Sequence, residues 1–249
     1  MARRKIIATI EARVASSRLP GKVLLPVLGK PLLQHMIERV QKSAYLQEVV
    51  IALPDGSGND LITELANGIG VPYHRGSEDD VLSRVVDTAR SRRADILVQL
   101  TGDCPLMDHR LIDSCIEKYL EGKWDYVAND LTRTYPIGFD VAVMSADLLE
   151  ATLDEPDLDE VDREHVTTYL VDRPGRFRLF NLNAPPDLSH PEMQVTLDTP
   201  EDYEVIKNVF ENLYPNNRDF TAGDVIRYLL ESPDIARINE QIKRKSKRP

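Results

Sequence analysis

Between Arg13 and Lys22 the chain places three cations and two hydroxyls within ten residues, Arg13-Val14-Ala15-Ser16-Ser17-Arg18-Leu19-Pro20-Gly21-Lys22. That set suits a polyanion such as a triphosphate, which needs positive charge, hydroxyl donors and a loop able to offer backbone N–H groups. Two aspartates stand far along in similar settings: Asp103 in Leu100-Thr101-Gly102-Asp103-Cys104-Pro105, and Asp198 in Leu197-Asp198-Thr199-Pro200-Glu201-Asp202. Two carboxylates delivered beside a phosphate-binding loop could hold Mg²⁺ against a triphosphate and screen the charge that attack at an α-phosphate would meet. Each feature also has a plain structural reading. A basic loop can simply be solvated, Asp198-Thr199 before Pro200 makes a good helix N-cap, and Asp103 could cap the next helix or fix a turn.

These side chains need elements to present them. The apolar run 6–10 reads as a strand, which puts the basic loop at a strand's carboxyl end, where open α/β sheets carry ligands. Pro31 stands as a first helical residue, followed by Leu32, Leu33, Met36, Ile37 and Val40 at helical spacing. A strand over 48–53 closes at Pro54-Asp55-Gly56. Leu61, Ile62, Leu65, Ala66 and Ile69 make a helix stopped by Gly70, and 71–74 is a short strand. Val81, Leu82, Val85, Val86 and Ala89 mark another helix, and the apolar run 96–100 reads as a strand buried on both faces. Alternation of this kind predicts a mostly parallel sheet between helical layers.

From residue 129 the rhythm loosens. Pro136-Ile137-Gly138 introduces a strand over 139–144, acids crowd 154–162, a strand-like stretch covers 176–182, and 184–191 is a Pro-rich loop. Regularity returns with a strand-like 193–197, a helix after Pro200 and a helical 221–244. The expectation is a single domain over 1–249, with 129–191 as an excursion over the sheet and 221–249 as a helical C-terminal extension.

The 249 residues are 42% hydrophobic, enough for a sizeable core, and no apolar run approaches the ~20 residues that span a bilayer. The five residues before the first strand are too few for a signal peptide. A net charge of −10 argues against general nucleic-acid binding, which wants a basic face. The basic run 243–248 reads as a solvated helix end. Cys104 and Cys115 lack a metal-ligand spacing and are expected as buried free thiols in a reducing cytoplasm.

The order R-x4-R-L-P-G-K after the first strand, L-T-G-D-C-P in mid-chain and L-D-T-P-E-D near the end resembles the acylneuraminate/Kdo-type cytidylyltransferases. Within them it is most similar to the spore coat polysaccharide biosynthesis protein F branch, whose pattern includes segments like Arg75-Gly76-Ser77-Glu78-Asp79-Asp80-Val81-Leu82 and Arg163-Glu164-His165-Val166-Thr167. The likeness runs to about Phe210. It implies a three-layer α/β/α sandwich of the nucleotide-diphosphosugar-transferase (GT-A-like) kind and an Mg²⁺-dependent transfer of CMP from CTP to an acidic sugar, with loss of pyrophosphate. By position it implies that Arg13, Arg18 and Lys22 hold the triphosphate, with Ser16 and Ser17 donating to it. Asp103 and Asp198 would be the metal ligands, and Arg13, Lys22 and Asp103 the catalytic set. Arg75, Ser77, Glu78, Asp79 and Thr101 would approach the nucleotide. A homodimer in the cytoplasm is the corresponding expectation.

Two departures stand out. Glu11-Ala12-Arg13-Val14-Ala15 replaces a Gln-Ala-Arg followed by Gly, and Thr101-Gly102-Asp103 stands where sialic acid and Kdo synthetases carry Gln-Gly-Asp. The first puts a negative charge beside the phosphate loop; the second puts those particular sugar acids in question. Acceptor candidates are Arg133, Tyr135, Asp140, Arg163 and His165, an arginine among them being suited to a carboxylate or phosphonate. His35 and Trp124 read as structural. Two other readings stay open. One is a glycosyltransferase on the same architecture, though Cys104-Pro105 after Asp103 lacks its Asp-x-Asp motif. The other is a catalytically silent nucleotide-binding paralogue.

Overall fold

The computed structural model describes residues 4–243. Of the basic terminal run only Lys243 is therefore described; 244–248 lie outside the described residues.

Hydrophobic alternation sorts the first strands between two cores. In β1 (Ile6–Glu11), Ile6, Ala8 and Ile10 face one core and Ile7 the other. In β4 (Glu48–Pro54), Val49, Ile51 and Leu53 oppose Val50 and Ala52, and in β6 (Ile96–Thr101) Ile96, Val98 and Leu100 oppose Leu97. A strand buried on both faces needs helices on both faces. On the first side lie α1 (Leu32–Val40), α2 (Asp60–Gly68), α4 (His109–Leu120), α8 (Pro200–Leu213) and α9 (Ala222–Glu231). On the second lie α3 (Val81–Ser91), α5 (Ala146–Ala151) and α7 (Thr168–Val171). The expected three-layer sandwich is what forms. In α1, Leu32, Leu33, Met36, Ile37 and Val40 are wholly buried, each worth about 1.5–3 kcal/mol. Packing holds this helix.

The sheet has seven strands in the order β5-β4-β1-β6-β8-β7-β9, with β5 (Tyr73–Gly76), β7 (Tyr126–Ala128), β8 (Ala142–Ser145) and β9 (Leu179–Asn181) completing it. Only β8 runs against the rest. Register brings Glu11 level with Ala52 and Thr101, and Pro54 level with Gly76. The carboxyl ends of β1, β4, β5 and β6 thus share one edge. A two-stranded hairpin, β2 (Pro26–Val27) and β3 (Lys30–Pro31), precedes α1, so Pro31 ends a strand rather than opening the helix. His35 is structural as expected, its buried Nε2 donating to the Val27 carbonyl at 2.8 Å. Trp124 packs on Phe180 with ring centroids 5.0 Å apart.

Five stretches differ from the sequence reading. The strand expected at 71–74 starts at Tyr73, because the Val71 N–H is used to close α2 on the Ala66 carbonyl at 2.9 Å. The strand expected at 139–144 starts at Ala142. The buried Asn129 side chain takes the backbone before it, donating to the Phe139 carbonyl at 2.7 Å and accepting from Val141 N–H at 2.8 Å. Residues 193–197 make no sheet strand, only a bridge from Gln194 to Ile137. Segment 129–191 also enters the sheet, supplying β8 and β9, as well as α6 (Glu160–Glu164) and α7 above it. The C-terminal helical stretch divides at Ser232 into α9 and α10 (Pro233–Ala236). Cys104 and Cys115 are buried and free, and burial pushes the Cys115 thiol up to about 12.

Candidate active site

The basic loop leaves β1 and is tied down along its length. Val14 N–H donates to Asn59 Oδ1 at 2.9 Å, Gly21 N–H to the Val14 carbonyl at 2.9 Å, and Gly21 adopts a left-handed φ of 69°. A 3₁₀ turn over Lys22–Leu24 then buries Val23 beneath the loop. The turn fixes the root of Lys22, whose side chain is 15% exposed.

Asp103 is delivered by a close approach of β6 to β1. Gly102 N–H donates to the Glu11 carbonyl at 2.8 Å, and a Cβ on Gly102 would lie only 2.8 Å from that oxygen. Thr101 Oγ1 orients the carboxylate by donating to Asp103 Oδ1 at 2.6 Å. The Asp103 backbone carbonyl in turn accepts from Leu197 N–H at 2.8 Å and Thr196 Oγ1 at 3.2 Å. Those two bonds dock the 193–197 stretch beside β6 and bring Asp198 to the same edge.

The capping readings now separate from the chemical ones. Thr199 caps α8 in a capping box with Asp202, and Asp108 caps α4. Neither Asp103 nor Asp198 supplies a helix cap. Asp198 Oδ1 instead lies 2.8 Å from Lys22 Nζ and its Oδ2 3.0 Å from an Arg18 nitrogen, while Asp103 Oδ2 is 3.5 Å from Lys22 Nζ. Residues 18, 22, 103 and 198 therefore converge. Burial works against the Lys22 charge, but Asp103 and Asp198 outweigh it and raise its pKa above 10.5.

Two carboxylates already gathered around one ammonium make a place that favours a cation. Among the described residues no three His, Cys, Asp or Glu side chains gather to hold an ion alone. A donor set of two carboxylates fits Mg²⁺, which commonly takes one or two carboxylates and completes its shell with substrate phosphate oxygens and water.

The other nucleotide candidates are distributed along the same edge with one exception. Arg13 and Ser17 are exposed and Ser16 half-buried on the basic loop. Ser77 Oγ accepts from Asp80 N–H at 3.0 Å, leaving Glu78 and Asp79 exposed at the tip of their turn. Arg75 points elsewhere: it donates to the Gly56 carbonyl at 2.8 Å and to Asp60 and Thr63 at 2.6 Å each, bracing the start of α2.

The acceptor candidates divide further. Arg133 forms a two-pronged pair with Asp140, one contact being 3.1 Å. The charge of Asp140 reaches Cys104, next to Asp103. Tyr135 is 3% exposed within the core, and burial pushes its phenol up to about 12, so this expected acceptor contact is a packing residue. Arg163 pairs with Asp80, tying α6 to the start of α3. His165 ends α6 and precedes Val166, a buried β-branched residue held at a φ of 53°. Such backbone is costly and tends to persist at functional sites.

Sequence reasoning missed three buried polar anchors. Asn129 was described above. Arg39, 4% exposed, donates to the carbonyls of Met107, Leu106 and Phe220 at 2.9–3.1 Å and so anchors the loop after Asp103. Arg84 donates to the carbonyls of Ser77 and Glu78. Nothing in an amphipathic helix pattern tells an inward arginine from an outward one.

The geometry defines an α/β nucleotide-handling fold with its polar site at the carboxyl edge of the sheet, and known proteins agree. A solved cytidylyltransferase from Leptospira borgpetersenii superposes with a TM-score of 0.88 at 30% identity, covering 98% of this chain and 100% of that one. A CMP:2-keto-3-deoxy-manno-octonic acid synthetase solved with CTP shares the fold, with a TM-score of 0.63 at 22% identity over 83% of this chain and 98% of that one. The spore coat polysaccharide biosynthesis protein SpsF of Bacillus subtilis is 34% identical over 235 residues, 93% of this chain and 96% of the relative. Residues 7–232 match the cytidylyltransferase family. The chain belongs to the cytidylyltransferase family.

Proposed function

We propose that this cytidylyltransferase depends on Mg²⁺ and transfers CMP from CTP to a hydroxyl of a small acidic sugar, releasing pyrophosphate. The observation that carries the reading is Lys22 held between Asp103 and Asp198 with Arg18 alongside. CTP is supported by the related synthetase fold solved with that nucleotide, and a sugar acceptor by the polysaccharide role in the name of the Bacillus relative.

Arg13, Arg18 and Lys22 hold the triphosphate, and Ser16 and Ser17 donate to its oxygens. Asp103 and Asp198 would hold Mg²⁺, which when bound screens the phosphate oxygens and makes the α-phosphorus a better electrophile. Thr101 sets the Asp103 carboxylate, and the turn 77–79 faces the nucleoside half. Arg133 and Asp140 line the acceptor side, with His165 as a further contact. The acceptor oxygen attacks the α-phosphorus in line, the bond to the bridging oxygen breaks, and pyrophosphate leaves with that electron pair. The hydroxyl proton passes to water. The chain's part is positioning and charge neutralisation, with Lys22 meeting the charge that develops on the leaving group. A cytoplasmic homodimer belongs to the same proposal, and light scattering checks the oligomer.

The test is pyrophosphate release with Mg²⁺ and each of the four nucleoside triphosphates against a panel of acidic sugars and phosphonates. CTP-specific release with one acceptor, lost by at least about 100-fold in Asp103→Ala, is expected. Release that ignores the base, or survives in Asp103→Ala, overturns the reading.

A further inference from the structure

Arg84 lies in the first turns of α3, whose other inward residues are Leu82, Val85, Val86, Thr88 and Ala89. Only 3% of it is exposed. Its guanidinium donates to the carbonyls of Ser77 and Glu78, while its buried Nε has no hydrogen-bond partner. The turn it grips is held from its own side as well, Asp80 accepting from Ser83 N–H at 2.9 Å while its N–H donates to Ser77 Oγ. The backbone of 77–80 is thereby fixed from below, with the Glu78 and Asp79 side chains facing solvent at the carboxyl edge.

Burying a guanidinium is expensive, and an apolar side chain would fill this space in α3 at less cost. Both bonds leave one terminal nitrogen, Nη1, so the two successive carbonyls are drawn to a single point at the end of a buried, planar side chain. The surrounding charges come from several strand ends at once. Glu11 at the end of β1 is the main group favouring the Arg84 cation, Arg13 opposes it, and Glu78 and Asp55 add to the support, all against the cost of burial. Glu11, which also accepts from Gln99 Nε2 at 2.8 Å, therefore has a role that its position beside the phosphate loop left unexplained. It is counter-charge to a buried arginine.

We propose that Arg84 is a positioning residue for the nucleotide, fixing the 77–80 turn against the end of β1 so that the surface meeting the nucleoside half is set before CTP binds. This rests on the CTP reading above. In this arrangement the nucleoside half depends on Arg84, whereas the pyrophosphate half depends on Arg18 and Lys22. The two halves can be measured separately.

Calorimetric titration of CTP and of inorganic pyrophosphate, each with Mg²⁺, is made on the wild-type chain, Arg84→Met and Arg84→Lys, with thermal unfolding of the same samples. Arg84→Met is expected to weaken CTP about tenfold, as for loss of charged hydrogen bonds, while pyrophosphate affinity stays at the wild-type value. Arg84→Lys, keeping one charged donor nitrogen but with a shorter reach and no rigid plane, falls between, and carries the test alone if the methionine variant does not fold. Equal CTP affinity in folded variants overturns the proposal. So does a parallel loss of CTP and pyrophosphate, which marks a general structural role. A wild-type chain that binds pyrophosphate but not CTP overturns the cytidylyl reading itself, and the proposal with it.

Discussion

Lys22 separates two carboxylates that would otherwise face each other across the site. Its ammonium meets Asp198 at 2.8 Å and Asp103 at 3.5 Å, so it is counter-ion to both carboxylates and, in the proposed reaction, a phosphate ligand. Lys22→Met is expected to lower kcat by about 100- to 1000-fold, the usual cost of removing a donor aimed at developing charge. Steady-state pyrophosphate release checks it. The pKa of Lys22 is raised, burial being outweighed by Asp103 and Asp198. Its stabilising contribution is therefore full below the ordinary 10.5 and is lost only as pH rises through the higher folded value. Alkaline unfolding followed without Mg²⁺ should therefore show the same loss in Lys22→Arg as in the wild-type chain at every pH below 10.5. At this scale the sequence was most legible where residue type alone specifies chemistry. The dense cations of 13–22 and the two aspartates fit one task. Arg75, Tyr135 and Arg163 carry equally suitable groups, yet the fold turns them toward Asp60, the core and Asp80.

The element that brings Asp198 into place is not a strand of the sheet but a stretch pinned at three points. Val195 N–H donates to the Ile137 carbonyl and Leu197 N–H to the Asp103 carbonyl, both at 2.8 Å, and Ile137 N–H donates to Met193 at 3.0 Å. Gly138 makes the first contact possible, with a φ of 112° and no room for a side chain: a Cβ there would lie 2.6 Å from Thr196 N. Gly138→Ala is expected to destabilise the chain by about 3 kcal/mol, combining backbone strain with overpacking, and to reduce turnover because the displaced stretch carries Asp198. Urea unfolding beside a rate assay tests both; a stable variant with altered rate alone would contradict the strain argument. The stretches 139–144 and 193–197 were misread because their apolar spacing suits a strand, while Asn129 and Gly138 send the backbone bonds elsewhere. The helices α1 and α3 were read closely, since their periodicity is local.

Across the whole molecule, the C-terminal helices are tied to the sheet's helical layer by apolar packing and by polar groups, among them Asp219. It accepts from Lys42 at 3.0 Å and Arg110 at 2.7 Å, joining the turn before α9 to the ends of α1 and α4. Burial pushes its carboxyl up, but Lys42 and Arg110 outweigh this and pull it from 3.8 to about 2. A depressed carboxylate stabilises fully above its unfolded value and loses that stability as pH falls through the folded one. Asp219→Asn should therefore lower the melting temperature above pH 3.8, with the gap to wild type closing as pH falls toward about 2. Melting curves across that window decide it. No helix among the described residues is long and apolar enough to cross a membrane, as the absence of a long apolar run anticipated. By itself the sequence determined the strands β1, β4 and β6, the helices between them, and which cationic, hydroxyl and carboxylate side chains are on hand for the proposed site, because each depends on residue type and short-range period. Only tertiary structure decided which carboxylates cap helices and which meet Lys22, that 129–191 enters the sheet, and that Arg84 and Arg39 lie buried under the loops. Those outcomes depend on where distant backbone carbonyls and N–H groups find partners, and no local pattern records that.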